Sequence, residues 1–104
     1  MKHSFIYVTT KDIEEAKLIA KALVEEKLVA CSNIIDKITS FYYWEGKLQQ
    51  DQEAALFAKT TKSKLNKVIE KVKQLHSYSC PCIISAPIEG GNPDFLSWIT
   101  AQVK

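Results

Sequence analysis

The chain contains no arginine, so all 14 of its basic residues are lysines. Arginine supplies the planar, two-pronged donor that binds phosphate and carboxylate groups in pairs, and lysine does not reproduce that geometry. The 12 acidic residues lie interspersed among the lysines, and the formal net charge is only +2. These features argue against a phosphate-clamping enzyme and against a nucleic-acid partner, which would require a strongly basic surface.

Long hydrophobic runs are also missing. No segment approaches the roughly 18 consecutive apolar residues of a membrane span, and the N-terminal MKHSFIYVTT lacks a long apolar stretch and a cleavage signal. We therefore expect a cytoplasmic protein with no membrane partner. The cysteines, Cys31, Cys80 and Cys82, are odd in number and lack a secretory context, which favours free thiols over a disulfide framework.

What is present is typical of one soluble domain, 1–104, with 46% hydrophobic and 25% charged residues. Hydrophobic periodicity and turn signals predict, in order, a strand at His3 to Thr10, a helix from a capping box at Asp12 and Glu15 to about Lys27, a hairpin at Cys31 to Thr60, a helix capped by Thr61 or Ser63, a strand at Pro81 to Ile88 and a helix at Asp94 to Val103.

This order is the ferredoxin-like βαββαβ arrangement with an added C-terminal helix. It predicts an α+β fold in which two helices cover one face of a four-stranded antiparallel sheet and leave the other face uncovered. Pro81 and Pro87 lack an amide donor, so the last strand is expected at an edge of the sheet.

The hairpin is longer than the domain can cover. Each arm has about 14 residues, against roughly 5 to 6 for a usual strand. Such an arm spans about 45 Å, whereas a compact chain of this length is about 35 Å across. Part of the hairpin, which turns at Glu45-Gly46, must therefore project, bend or be covered by another subunit, and we expect an oligomer.

Five local sequences occur in order along nearly the whole chain: ACSNI from Ala30, SFYYWEGK from Ser40, Glu53 followed by Lys59-Thr60, HSYSCP from His76, and DFLSWI from Asp94. Together they resemble the CutA family of divalent-cation tolerance proteins. The resemblance implies a cytoplasmic, non-enzymatic homotrimer whose long hairpins pair between neighbours, with an architecture related to the PII signalling proteins. A trimeric, PII-like module that binds a small anion between subunits is the alternative function.

The chain departs from the family where a metal would be expected. The family segment His-Pro-Tyr-Glu, one residue, Pro-Glu is replaced by His76-Ser77-Tyr78-Ser79-Cys80-Pro81-Cys82, so that both acidic positions are lost. The family positions discussed as copper ligands hold Val8, Leu75 and His76. No cofactor is predicted to be required, but copper or another divalent cation is a candidate ligand.

His76, Cys80 and Cys82 are the residues predicted to bind such a metal, because their nitrogen and sulfur atoms suit copper(I) or zinc. Two simpler interpretations stay open. His76 would also serve as a cap at the end of the second helix, and Cys31 reads as a buried small hydrophobic residue.

An intersubunit cleft or interface is predicted from a second set of side chains: Tyr42, Tyr43, Trp44, Glu53, Lys59, Tyr78 and Trp98. The aromatic residues at the hairpin tip favour an interface. Glu53 and Lys59 lie six residues apart on one strand, so they share a face without pairing. A structural polar network is the alternative. No catalytic residue is assigned, since no base–nucleophile pair has an orienting partner.

Overall fold

The computed structural model describes residues 2–104. Its elements are β1 (His3–Thr10), α1 (Ile13–Glu25), β2 (Cys31–Trp44), β3 (Lys47–Thr61), a short 3₁₀ turn (Lys62–Lys64), α2 (Leu65–Leu75), β4 (Ile83–Pro87) and α3 (Pro93–Gln102). The four strands form one antiparallel sheet in the order β2-β3-β1-β4. This is the predicted ferredoxin-like βαββαβ fold with an added helix, and β4 lies at an edge, as its prolines required.

The core forms between one face of the sheet and the apolar sides of α1 and α2. Alternate residues of β1 and β3 point inward, and the apolar positions of the two helices recur at helical spacing. The central side chains are Ile6, Val8, Ile19, Leu23, Leu56, Val68 and Val72. The two predicted helices therefore pack on the sheet by their apolar sides, and Val24, near the end of α1, is exposed.

Helix α1 ends earlier than its periodicity suggests. Lys27 adopts a left-handed conformation with φ of 58°, its N–H donates to the Val24 carbonyl, and Leu28 N–H donates to the Leu23 carbonyl. This pair of bonds is the Schellman motif, which normally has glycine at the left-handed position. At the other end, Asp12 caps the helix by accepting from Glu15 N–H.

The start of α2 differs from the prediction. Neither Thr61 nor Ser63 provides a side-chain cap; the two hydroxyls instead lie 3.1 Å apart. A 3₁₀ turn at Lys62–Lys64 precedes the helix. Strand β4 is also shorter than predicted, because Pro81 and Cys82 lie outside its pairing with β1.

The β2–β3 hairpin has the predicted length and turn, with Glu45 and Gly46 both at positive φ. Its inner half pairs Ile35 with Ala55, but its outer half pairs Ile38 with Glu53, so β2 contains one extra residue. The irregularity is a β-bulge, in which two β2 residues oppose one residue of β3. The extra residue shifts the alternation of β2, so that Ile38 lies on the same face of the sheet as Ile35.

The outer half of the hairpin projects from the domain. Strand β1 pairs with β3 only as far as Ala54, so beyond that residue β2 and β3 form a two-stranded ribbon. The molecule measures 45 × 25 × 22 Å. The long dimension confirms that the arms extend past the body of a single chain.

The sequence predicts that the sheet face opposite α1 and α2 is uncovered. In the structure this face is partly covered. Helix α3 contacts β1 and β3, and its Thr100 hydroxyl lies 2.8 Å from Nε2 of His3, which alternates onto that face. Helix α3 therefore covers one end of the face. Among residues 2–104, no helix is both long and apolar enough to span a membrane.

Candidate functional site

A cleft of about 530 Å³ lies between the outer half of the hairpin and the loop that joins α2 to β4. Three segments line it: β1, the hairpin and the α2–β4 loop. Their contributions are Tyr7 and Thr9; Ser40, Phe41, Tyr42, Trp44 and Glu53; and Tyr78, Ser79, Cys80 and Cys82. The bulge in β2 decides which hairpin residues face this cleft.

A hydrogen bond between Tyr78 and Glu53 joins the loop to the hairpin across the cleft. The Tyr78 hydroxyl donates to Glu53 Oε2 at 2.7 Å, and Glu53 is only 7% exposed. Burial raises the pKa of the Tyr78 phenol well above its usual range, and the Glu53 hydrogen bond and charge raise it further. Tyr78 is therefore a hydrogen-bond donor at neutral pH, and Glu53 is its acceptor.

His76 positions Tyr78. It is the C-cap residue of α2, as the helix-cap interpretation predicted. Its Nε2 lies 2.7 Å from the Thr9 carbonyl oxygen, which only accepts, so Nε2 carries the proton. The other ring nitrogen, Nδ1, accepts from the Tyr78 N–H at 3.1 Å. Both ring nitrogens are consequently engaged in holding the loop against β1.

Glu15 connects the same loop to the start of α1. One carboxylate oxygen accepts from Lys11 N–H at 3.0 Å and the other accepts from Ser77 N–H at 2.8 Å. Burial by itself raises the pKa of Glu15, but the hydrogen bonds from Lys11 and Ser77 and the nearby His76 outweigh it, and the pKa is lowered overall. The ionised carboxylate therefore fixes the base of the loop.

The pKa values of the other two tyrosines of the cleft, Tyr42 and Tyr7, are also raised. The Tyr42 hydroxyl donates to Asp51, which raises the pKa of the phenol, as do burial and the charges of Asp51 and Glu53. Burial raises the pKa of Tyr7, and the nearby Cys82 and Glu53 add to the rise. The phenols of the cleft are thus protonated at neutral pH.

The structure brings together four of the seven predicted cleft or interface residues: Tyr42, Trp44, Glu53 and Tyr78. The other three lie elsewhere. Tyr43 is 73% exposed and pairs with Leu48 on the hairpin. Lys59 shares the face of Glu53, as predicted, but its ammonium donates to Asn33. Trp98 packs against Phe95 within α3.

Sequence reasoning missed five residues of the lining: Tyr7, Thr9, Ser40, Phe41 and Ser79. Tyr7 and Thr9 alternate with the buried residues of β1, so the period of two shows that they face away from the helices. The sequence contains no signal that the α2–β4 loop returns to this face. That return depends on the His76–Thr9 hydrogen bond.

The predicted metal ligands do not form a metal centre within one subunit. Over residues 2–104, no group of three or more His, Cys, Asp or Glu side chains is arranged to hold a metal ion. His76 has no free ring nitrogen, whereas Cys80 and Cys82 are free thiols that line the cleft. The donors present therefore do not fit a resident divalent cation held by one chain. Cys31, interpreted as a buried hydrophobic residue, is partly buried.

Comparison with known proteins decides the family. The family model described as CutA1 divalent ion tolerance protein matches residues 4–102. The chain belongs to the CutA family. The divalent-cation tolerance protein CutA of Archaeoglobus fulgidus is 48% identical over 102 residues, which cover 98% of this chain and 99% of the relative. The mouse protein CutA is 41% identical over 96 residues, which are 92% of this chain and 54% of the longer relative.

Solved CutA structures share the fold. The Archaeoglobus fulgidus structure, described as a periplasmic divalent cation tolerance protein, superposes with a TM-score of 0.95 over 98% of this chain and 99% of its own. CutA1 from Oryza sativa is 40% identical and gives 0.97 over 100% of this chain and 95% of its own. The resemblance read from the sequence is thereby confirmed, as is the ferredoxin-like fold. CutA relatives are named for cation tolerance and not for a catalysed reaction.

Proposed function

We propose that this CutA protein acts in divalent-cation tolerance as a cytoplasmic, non-enzymatic homotrimer whose subunits join through the β2–β3 hairpin. The observation that carries the proposal is the exposed apolar surface of the hairpin tip. Four large side chains there are between 52% and 73% exposed: Phe41, Tyr43, Trp44 and Leu48. Large apolar side chains exposed together at one end of a molecule are typical of a protein interface.

The backbone of the hairpin supports the same proposal. The ribbon beyond Ala54 has two strand edges that no other strand of residues 2–104 pairs with. An isolated two-stranded hairpin is marginally stable in water, and open strand edges readily pair with another chain. Pairing between the arms of neighbouring subunits would satisfy both requirements. The number of three rests on the resemblance to the CutA family.

Multi-angle light scattering tests the assembly. The wild-type protein should have three times the mass of the chain at micromolar concentration, and a monomeric mass would refute the proposal. The double variant Tyr43→Gln/Leu48→Gln removes a cross-strand apolar pair at the tip and should dissociate. Leu18→Gln, which changes a comparably exposed leucine on α1, should leave the mass unchanged.

Copper binding stays a prediction. Both ring nitrogens of His76 are hydrogen-bonded, so the two thiols of the cleft are the remaining candidate ligands. Anaerobic titration with Cu⁺ and a separate titration with Zn²⁺ test it. Cys80→Ser/Cys82→Ser should abolish binding, and Cys31→Ser, at a partly buried position outside the cleft, should not. Equal affinity in both variants would remove these thiols as ligands.

The alternative of an anionic ligand finds no support in the cleft. Its lining contains Glu53 but no lysine or histidine. Lys59, which would have supplied the positive charge, donates to Asn33 instead. We therefore do not propose a PII-like function in binding a small anion.

A further inference from the structure

The charge of the cleft points to the sign of its ligand. Glu53 is the sole carboxylate among the lining residues of the described chain, and no basic side chain accompanies it. Five of the lining residues are aromatic. A ligand that enters this cleft meets negative charge in surroundings that strengthen electrostatic attraction.

Glu53 has capacity to bind a further group. The residue is more than nine-tenths buried, and Tyr78 donates to one of its two carboxylate oxygens. The second oxygen, Oε1, accepts no hydrogen bond from residues 2–104. Because Oε1 is not among the buried atoms that lack a partner, it is accessible to a cation that enters the cleft.

Aromatic rings line the same cleft. Tyr42, Trp44 and Tyr78 line the cleft and keep between 36% and 52% of their surface exposed. The faces of such rings attract cations, and attraction to several rings is the usual means of binding quaternary ammonium groups. A hydrated metal ion would lose its water ligands against rings without gaining enough oxygen ligands in return.

We propose that the cleft binds a small organic ammonium ion, quaternary or methylated, whose charged head lies beside Glu53 and against the rings of Tyr42 and Tyr78. The proposal goes beyond cation tolerance and trimer formation, since it assigns an organic ligand to a cleft whose lining residues all belong to one subunit. The cleft volume of about 530 Å³ accommodates a head group of a few carbon atoms.

Choline and its uncharged analogue 3,3-dimethylbutan-1-ol form the test. They have the same shape and differ in whether the head atom is a nitrogen cation or a carbon. Because the chain has two tryptophans, Trp98→Phe leaves Trp44 as the single fluorescent reporter in the cleft. Choline and tetramethylammonium should change its fluorescence saturably, and the alcohol should bind at least about tenfold more weakly.

Variants separate charge from structure. Glu53→Gln should weaken choline binding about tenfold or more, and Tyr42→Leu, at an exposed position on the ribbon, should weaken it severalfold. Glu70→Gln removes an exposed carboxylate of α2 and should leave binding unchanged. Circular dichroism confirms that each variant is folded, so loss of binding in folded Tyr42→Leu still reports on the site if Glu53→Gln does not fold.

Equal binding of choline and the alcohol would overturn the proposal, as would the absence of saturable binding at millimolar choline. The second result includes the case in which a neighbouring subunit fills the cleft. Light scattering on the same samples keeps the two proposals apart. A trimer that does not bind choline refutes the ligand alone, and a monomer that binds it refutes the assembly alone.

Discussion

Replacing Glu15 by glutamine should destabilise the protein and loosen the α2–β4 loop. The wild-type carboxylate accepts one backbone N–H on each oxygen, from Lys11 and Ser77. Glutamine has one oxygen, so one of the two N–H groups loses its acceptor and faces a second donor. Leaving a largely buried donor unpaired costs about 1 to 3 kcal/mol, which is the expected loss in free energy of unfolding.

The same substitution should change the pH dependence of stability. The pKa of Glu15 is lowered in the folded protein, so the unfolded state takes up the proton first as the pH falls. The carboxylate's contribution is therefore complete above its unfolded pKa of 4.5 and is lost as the pH falls through the lower folded pKa. Glu15→Gln should lack this component of acid destabilisation.

Urea unfolding between pH 7 and pH 3, at one fixed protein concentration, measures both effects. Fixed concentration matters because dissociation of an oligomer would be coupled to unfolding. Glu14→Gln is the control. Its carboxylate is exposed and lies 3.9 Å from Lys17, so the change should be within about 0.5 kcal/mol. If both variants behaved alike at every pH, the two hydrogen bonds of Glu15 would not fix the loop.

Three further predictions follow from single side chains. Leu56→Ala at a fully buried position should cost about 2 to 5 kcal/mol in urea unfolding, and a loss below 1 kcal/mol would contradict its central place in the core. Lys27→Gly removes the backbone strain of a side chain in the left-handed conformation and should raise the free energy of unfolding by about 0.5 to 1 kcal/mol. Lys21→Gly, inside α1, should lower the free energy of unfolding by about 1 kcal/mol. Tyr78→Phe removes the donor to Glu53 and should lower the melting temperature by several degrees at neutral pH; an unchanged melting temperature would show that the bond is not formed in solution.

The fold was predictable because its signals are local and repeated. Alternation in β1, the stripe of α2 and the Glu45-Gly46 turn each depend on neighbouring residues. The end of α1 was misplaced because Lys27 occupies a position where glycine would have marked the stop. The cap of α2 was wrong because hydroxyl residues before a helix satisfy the pattern whether or not they bond its N–H groups.

The site was predictable only in part, because it depends on contacts that are distant in sequence. Tyr78 and Glu53 are separated by 25 residues, and His76 and Thr9 by 67. Residue type indicated that Glu53 would be important but did not identify its partner. Lys59 was assigned to the cleft from its strand face alone, and its bond to Asn33 depends on the pairing register of β2. Cys80 and Cys82 line the cleft as separate thiols, which spacing could not establish.

The bulge in β2 has a consequence for how this hairpin can change length. In the inner half of the hairpin the numbers of paired residues sum to 90. In the outer half, which ends at the two-residue turn, they sum to 91. Asp36 and Lys37 together absorb that difference opposite Ala54. Deleting one of them would let the strands pair without interruption, and every side chain would keep its present face. The junction is thus a place where the hairpin can lose one residue without exchanging the aromatic residues presented to the cleft for those presented to the other side.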